Sequence, residues 1–401
     1  EVLGYEGPVL MSIATKALAF LMLEDFRRVA LDENDQPLFS LDQLRACIAK
    51  VTGIDLHSTI DLGGGLTVSA YYAGHVIGAT MFAVRLHGQC VLYTGDYNMS
   101  ADRHLGPARV PRLDPDLLIT ESTYATVYRD NLSAREEEFV RQVKQCVAAG
   151  GKVLIPLFAV GRAQELCILL HQHWEEAGLQ VPMYFSGGLS ARANAFYKLL
   201  LGWTKAERAV PSTLSLFDFQ HVRPFDRACI DAPGPCILFA TPGMLHGGLS
   251  LQVFKKWAPD ARNLLVLPGY CVPGTVGYQL LGGQRVVKDN RGAAVRVQMQ
   301  VQQYSFSAHT DARGIMDLLK QTCPRAVMLV HGEAAKMEVL RQQVAHTLGV
   351  AAHAPPNGTP VVVPERRGVP VALSASRRFD CGGAKRPRWL AEEGEHPAHL
   401  E

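Results

Sequence analysis

The sequence predicts an α/β protein with more than one domain, and three observations support this. The chain has 401 residues, which is beyond the length at which a single core usually stops growing. Apolar residues make up 48% of it and charged residues 19%, as in ordinary globular proteins. Between residues 152 and 305, short apolar runs alternate with helical patterns. This alternation is typical of a largely parallel sheet flanked by helices.

The first third of the chain is predicted to combine a helix with several strands. Residues 17–30 follow an amphipathic helical pattern, and residues 67–94 form short strand patterns with a turn near His87-Gly88-Gln89. A further apolar run at residues 116–120 predicts a strand that ends at Glu121.

The middle of the chain is predicted to form βα units. Ser133 and Glu136 have the spacing of a capping box, which predicts a helix that begins at Ser133 and ends at the Gly150-Gly151 pair. A second helix is predicted from Arg162 onward. Buried strands are predicted at residues 152–158, 236–240 and 263–267.

The end of the chain is predicted to hold one more strand and helix before a tail. Residues 325–330 form a strand pattern that ends at His331, and a helical pattern follows through Leu348. Beyond Pro364, charged and small residues dominate, which predicts a flexible tail over residues 365–401.

Charge and cysteine content exclude some classes of function. Lys and Arg number 40 against 38 Asp and Glu. The chain therefore has no overall positive charge of the kind that indicates nucleic-acid binding. The nine cysteines are scattered singly, which indicates neither a zinc knuckle nor a disulfide framework, and small buried side chains are the expected role. No apolar stretch is long enough to predict a membrane span.

Chemically capable side chains recur at predicted strand ends. His75, Asp96, Glu121 and His331 each follow such a strand, and His309 lies at a predicted helix start. The carboxyl ends of parallel strands collect binding groups, and imidazole and carboxylate are the ligands of hydrolytic zinc sites. Any one of them alone is more often a polar loop residue. All five together favour a metal-dependent hydrolytic site.

Three further residues allow less specific interpretations. Arg162 follows a strand and a glycine at a helix start, a position that suits a phosphate contact. A structural salt bridge is an equal alternative. His171 and His173 flank Gln172 on an amphipathic pattern and are predicted to be surface histidines.

Several long motifs resemble the metallo-β-lactamase/β-CASP nucleases. The resemblance covers nearly everything from Gly4 to Pro364. The motifs lie at residues 73–82, 94–99, 102–106, 118–126, 161–166, 239–246, 268–272 and 329–333.

This resemblance implies a specific domain arrangement. A metallo-β-lactamase αββα sandwich, incomplete at its N-terminus, would hold an inserted β-CASP domain of parallel sheet flanked by helices. The sandwich would comprise residues 1–124 and 306–364, and the insertion residues 125–305. The family's His-x-His-x-Asp-His motif would lie upstream of Glu1. We therefore expect the chain to be truncated and inactive alone.

The resemblance also implies roles for the candidate residues. His75 would bind one of two zinc ions, His331 the other, and Asp96 both, for two-metal hydrolysis of a phosphodiester. Glu121 would orient His309, and His309 would protonate the leaving oxygen. A histidine at position 331 resembles the RNA-cleaving branch of the superfamily, so RNA is the expected substrate.

Within this family, two paralogous branches share the chemistry. Tyr97-Asn98-Met99, Ala125-Thr126 and Val276-Gly277 are more similar to the branch that processes snRNA 3′ ends and cleaves nascent transcripts than to the pre-mRNA 3′-end endonuclease. This implies a nuclear protein, with some cytoplasmic pool, in a large RNA-processing complex beside a paralogous β-CASP subunit. A non-catalytic scaffold subunit is the main alternative. A small-molecule hydrolase is disfavoured by the long insertion.

Overall fold

The computed structural model describes most of the chain. It covers residues 4–34, 38–129, 132–158, 160–185, 195–204, 217, 219, 221–289 and 292–364. The predicted tail at residues 365–401, including Cys381, lies outside the described residues. Within the described part, no helix combines the length and apolar character needed to span a membrane.

Strands and helices alternate along the described chain. The strands are β1 (Val9–Ser12), β2 (Val51–Ile54), β3 (Thr59–Asp61), β4 (Leu66–Tyr72), β5 (Thr80–Leu86), β6 (Gln89–Tyr93), β7 (Leu117–Glu121), β8 (Val153–Pro156), β9 (Met183–Phe185), β10 (Val222–Pro224), β11 (Ile237–Ala240), β12 (Leu264–Leu267), β13 (Val286–Lys288), β14 (Ala294–Arg296), β15 (Gln300–Gln303), β16 (Ala326–Val330) and β17 (Ala351–His353). The helices are α1 (Ile13–Asn34), α2 (Leu41–Ala49), α3 (Leu132–Ala148), α4 (Arg162–Ala177), α5 (Ala228–Asp231), α6 (Gly248–Trp257), α7 (Val276–Leu281), α8 (Ala312–Thr322) and α9 (Ala334–Leu348), with a 3₁₀ turn at Leu201–Trp203.

A seven-stranded mixed sheet contains the strands that lead to the candidate residues Asp96, Glu121 and His331. Its order is β17-β16-β7-β6-β5-β4-β3. The strands β17, β16, β7 and β6 run parallel to one another. The pairs β6–β5, β5–β4 and β4–β3 are antiparallel. One apolar cluster packs on it and includes Met81, Leu92, Leu118, Val327 and residues of α8 and α9.

The second large sheet lies between β7 and β16 in the sequence. Six parallel strands follow the order β10-β9-β11-β8-β12-β15. Successive residues of its central strands enter different clusters, since Val153 and Ile155 pack with α3 and α4 while Leu154 packs with α6. Both faces are therefore covered, which explains why β8, β11 and β12 are continuous apolar runs.

Most predicted elements are found within a few residues of their predicted bounds. The predicted turn at His87-Gly88 connects β5 and β6, and both residues have the positive φ of a tight hairpin. The prediction of a capping box that begins at Ser133 is wrong. Helix α3 already includes Leu132, and the Ser133 hydroxyl donates to Glu137 Oε1 at 3.1 Å inside the helix.

A further cluster of apolar side chains connects the two large sheets. Leu18 and Leu21 of α1 pack with Tyr72 at the end of β4 and with Ile168 of α4. The Tyr72 hydroxyl donates to the Trp203 carbonyl at 3.1 Å. Among the described cysteines, Cys90, Cys146, Cys167, Cys229, Cys236 and Cys271 are buried as free thiols, as predicted, whereas Cys47 is exposed and Cys323 is half-buried.

Candidate metal centre

Neighbouring parallel strands end at the candidate site. β7 lies between β6 and β16, with Val330 opposite Glu121. The turn after β6 carries Asp96, β7 ends at Glu121, and His331 follows β16 directly. Because the carboxyl ends of these strands meet at one edge of the sheet, their terminal side chains converge.

The two carboxylate oxygens of Asp96 face two different histidines. Oδ2 lies 3.9 Å from Nε2 of His75, and Oδ1 lies 3.4 Å from Nδ1 of His331. The His75 side chain is 18% exposed, Asp96 37% and His331 58%. The three side chains thus form one open group that a solvent ion can reach.

The chain before His75 fixes the direction of its imidazole. Gly74 has a φ of +72°, and a Cβ there would lie 2.6 Å from the Gly106 carbonyl oxygen, so glycine is required for this close approach. Nδ1 of His75 lies 3.0 Å from the Ala308 carbonyl oxygen. A carbonyl oxygen only accepts, so Nδ1 carries the proton and Nε2 faces Asp96 with its lone pair. Metal-binding histidines are usually held this way.

Glu121 and His309 form a hydrogen-bonded pair beside this group. Nδ1 of His309 lies 2.8 Å and 2.9 Å from the two Glu121 carboxylate oxygens, so it donates to them. The Tyr97 backbone N–H also donates to Glu121, at 3.0 Å. The His309 ring lies 4.5 Å from the His75 ring and 5.8 Å from the His331 ring between centroids. His309 precedes helix α8, whose N-cap is Asp311.

The environment sets the protonation of two of these groups. Burial raises the pKa of Glu121, but hydrogen bonds from His309, Thr123 and the Tyr97 backbone outweigh it, and the net pKa is lowered. The carboxylate is therefore ionised. Burial, with the nearby His309, lowers the pKa of His75. The neutral imidazole is the form that binds metal.

Thr123 is a site residue that the sequence did not reveal. Its hydroxyl lies 2.5 Å from Glu121 Oε2, to which it donates, and 3.1 Å from Nδ1 of His331. It therefore connects the Glu121 carboxylate to the histidine on the neighbouring strand. Thr123 lies inside the Glu121-Ser122-Thr123-Tyr124 motif, but nothing in its spacing distinguishes it from its neighbours.

Arg129 is a second residue missed at the sequence level. Its guanidinium donates to the carbonyl oxygens of Ser307 at 2.9 Å and His309 at 2.6 Å. It also lies 4.5 Å above the centroid of the Tyr124 ring, and its backbone N–H donates to Asp311 at 3.1 Å. Arg129 thus fixes the backbone that presents His309 to Glu121.

The backbone at His331 is constrained. His331 has a φ of +53°, which non-glycine residues seldom adopt. Its carbonyl accepts from the Ser122 backbone N–H at 3.4 Å, and the Ser122 hydroxyl donates to Val330 at 2.6 Å. A Cβ at Gly332 would lie 2.6 Å from the Ser122 carbonyl oxygen. Packing against the loop after β7 therefore maintains this unusual conformation.

Arg162 forms a salt bridge, which is one of the two roles that the sequence allows for it. Its Nη2 lies 2.6 Å from Asp102 Oδ2, and the side chain is 17% exposed. The neighbouring Glu165 contacts the imidazole of His104 and accepts from its backbone N–H at 2.9 Å. Arg162 thus belongs to a charged network between α4 and the loop after β6. A phosphate contact stays a prediction.

The donor set of the site fits zinc. Asp96, Glu121, His309 and His331 each offer a ligand atom within 4.8 Å of the others, and His75 lies on the other side of Asp96. The Glu121 oxygens are engaged by hydrogen bonds. The Nδ1 proton of His309 is likewise committed to Glu121, so the imidazoles of His75 and His331 and the Asp96 carboxylate remain, a set that zinc prefers.

Three family models match successive parts of the chain. A metallo-beta-lactamase superfamily domain matches residues 3–115, a Beta-Casp domain residues 163–280, and a Zn-dependent metallo-hydrolase RNA specificity domain residues 294–355. Together with the relatives below, these matches show that the chain belongs to the metallo-β-lactamase/β-CASP family. The family resemblance and the α/β fold class predicted from the sequence are confirmed.

Three individual relatives show which members of this family the chain resembles. Integrator complex subunit 11 of Gallus gallus is 48% identical over 93% of this chain and 63% of its own length. The same-named protein of Danio rerio is 46% identical over 97% of this chain and 67% of its length. Cleavage and polyadenylation specificity factor subunit 3-II of Arabidopsis thaliana is 51% identical over 90% of this chain and 59% of its length. The chain therefore spans about 59–67% of the length of these relatives.

Proposed function

We propose that the protein is a zinc-dependent RNA endonuclease that hydrolyses phosphodiester bonds. The supporting observation is Asp96, whose two oxygens face His75 and His331 at 3.9 Å and 3.4 Å beside the Glu121–His309 pair. A carboxylate between two ligands, next to a proton donor, suits two-metal hydrolysis. The match to an RNA specificity domain supports RNA as the substrate.

The metal ligands follow from these contacts. His75 would hold one ion and His331 the second, and Asp96 would contribute to both. When bound, such ions neutralise phosphate charge and make water acidic enough to attack near neutral pH. The protein itself orients the first of these ligands, through the Ala308 carbonyl on Nδ1 of His75.

His309 holds the proton for the leaving oxygen. Its Nδ1 proton is committed to the Glu121 carboxylate at 2.8 Å, which leaves Nε2 as the atom that gives a proton to the substrate. The inserted domain, residues 125–305, would close over this site and form the RNA-binding cleft.

The cellular role proposed is that of the Integrator catalytic subunit. The two Integrator complex subunit 11 relatives support it. In this role the protein cleaves snRNA precursors and nascent transcripts in the nucleus, beside a paralogous β-CASP subunit and other subunits of the complex.

The test compares RNA cleavage with zinc content in the full-length protein assembled with its partners. Single-stranded RNA should be cleaved, and a chelator should abolish cleavage until zinc is restored. Asp96→Asn keeps the shape of the side chain but removes its charge, so bound zinc and cleavage should both fall.

A matched variant makes this test specific. Asp42 is an exposed residue of α2 that pairs with Arg45 at 2.9 Å, so Asp42→Asn should retain full zinc and cleavage. If the Asp96→Asn protein cleaves RNA at the unmodified rate, the two-metal proposal is wrong. Zinc that binds normally without any RNA cleavage would favour the scaffold alternative.

A further inference from the structure

A second group of ligand-type side chains lies away from the strand ends, on α4 and just before β10. His171 and Glu175 are one helical turn apart on α4, and His221 directly precedes β10, the outermost strand of the six-stranded sheet. Each of the three offers a ligand atom, and these atoms lie within 4.8 Å of one another. The sequence predicts surface histidines at positions 171 and 173, whereas the side chain of His171 is mostly buried.

The distances within this group suit a tetrahedral metal ion. Nε2 of His171 lies 3.3 Å from Oε1 of Glu175. In a tetrahedral zinc site with bonds of about 2.0–2.1 Å, neighbouring ligand atoms are about 3.3–3.4 Å apart. The rings of His171 and His221 lie 5.2 Å apart between centroids, tilted by 55°. A small side-chain adjustment can thus direct both imidazoles and the carboxylate to one point.

The surroundings of His171 indicate more than a surface ion pair. Its side chain is 13% exposed, and the Phe219 ring packs edge-on against it at 5.9 Å. Among the described residues, its Nδ1 is buried without a hydrogen-bond partner. An ion beside Glu175 would bind the other ring nitrogen, Nε2, so the unpaired Nδ1 shows how deeply the ring is buried and is not itself the ligand atom.

We propose that His171, Glu175 and His221 bind a divalent transition-metal ion of the zinc class, with a fourth position open to water or to a partner's side chain. Two imidazoles and one carboxylate favour zinc over calcium or magnesium, which prefer oxygen ligands. The ion ties the C-terminal half of α4 to the edge of the six-stranded sheet. A cross-link between positions so far apart in sequence restricts the unfolded chain and stabilises the fold.

The test measures zinc stoichiometry in a background that removes the first site. In protein carrying Asp96→Ala, zinc is titrated into the apo form, and binding is followed by calorimetry and by metal analysis after dialysis. Cobalt serves as an absorbing substitute that reports tetrahedral geometry. One equivalent should remain bound, and zinc should raise the thermal midpoint. This readout does not depend on RNA cleavage, so it can fail or succeed independently of the proposed function.

Single substitutions identify the ligands. Loss of even an outer-shell partner weakens metal binding by about 10–100-fold, so His171→Ala and His221→Ala should each weaken zinc by at least that much. Glu175→Gln should do the same without a packing defect, since this side chain is 53% exposed. Circular dichroism of each variant checks that it is folded.

His173→Ala provides the matched control on the same helix. His173 pairs with Glu176 at 3.3 Å and is 34% exposed, but it belongs to no group of three ligands among the described residues. Zinc affinity should be unchanged in this variant. Equal zinc binding by the His221→Ala and Glu175→Gln proteins and their parent, or an equal loss in His173→Ala, would overturn the proposal.

Discussion

The two large sheets use their parallel strands differently. In the six-stranded sheet, every residue of β8, β11 and β12 is buried, and helices cover both faces. In the seven-stranded sheet, buried residues of β6 and β16 are interspersed with half-buried or exposed ones. Strand β7 ends at Glu121, and β6 and β16 are followed by Asp96 and His331. One sheet is dominated by packing, whereas the strand ends of the other carry the proposed metal site. Substitutions in the two sheets should therefore affect different quantities.

The largest effect is expected for His309→Ala. General acid catalysis contributes about 10²–10⁴-fold to rate, so RNA cleavage should fall by that factor. Zinc content and the thermal midpoint should stay near those of the unmodified protein, because His309 is not among the proposed metal ligands. His346→Ala, an exposed position in α9, is the control. Loss of zinc together with cleavage would make His309 a ligand instead of the proton donor.

Phe239→Ala tests the packing sheet. Phe239 is fully buried in β11 and stacks on Phe185 with centroids 5.5 Å apart. Removal of such a ring typically costs about 3–5 kcal/mol, so urea unfolding should shift strongly while the folded fraction keeps its zinc. Phe158 lies just beyond β8 but is 58% exposed, so Phe158→Ala should cost far less. Similar losses in both variants would contradict the contrast between the sheets.

Much of this division was predictable from the sequence. The buried strands are uninterrupted apolar runs, so β8, β11 and β12 were predicted within two residues at either end. Asp96, Glu121 and His331 were identified because each follows a strand. Thr123 and Arg129 were missed, since their partners after β16 and before α8 are 208 and 180 residues away in sequence. His171 and His221 likewise become neighbours only when α4 packs beside β10.

Glu165 connects the two regions and should make stability pH-dependent. Burial raises its pKa, but His104 and Arg162 outweigh burial and hold the pKa well below the ordinary 4.5. The folded carboxyl therefore binds its proton less readily than the unfolded one. Its contribution is fully present above about pH 4.5 and is lost as the pH falls toward the folded pKa.

Glu165→Gln should therefore flatten the acid side of the stability profile. The expected loss at neutral pH is about 1.5–3 kcal/mol, the range for hydrogen bonds to charged groups, measured by urea unfolding between pH 3 and 7. Glu338, paired with Arg341 at 2.7 Å on the surface of α9, is the control, because solvent screens exposed pairs. An unchanged acid slope in Glu165→Gln would show that the network does not contribute to stability.

Arg129→Lys should have the smallest effect. It separates an effect on catalysis from an effect on stability within the sheet that carries the proposed site. Lysine keeps the charge but cannot make the two-pronged contact to Ser307 and His309, so the His309 backbone should shift relative to Glu121. We expect about a tenfold fall in kcat, equivalent to about 1.4 kcal/mol, with KM, zinc content and unfolding midpoint nearly unchanged. Arg141, an exposed residue of α3 paired with Glu138 at 2.6 Å, provides the matched Arg141→Lys control. A fall in stability without a change in kcat would make Arg129 a packing residue, since a positioning residue acts through the orientation of His309.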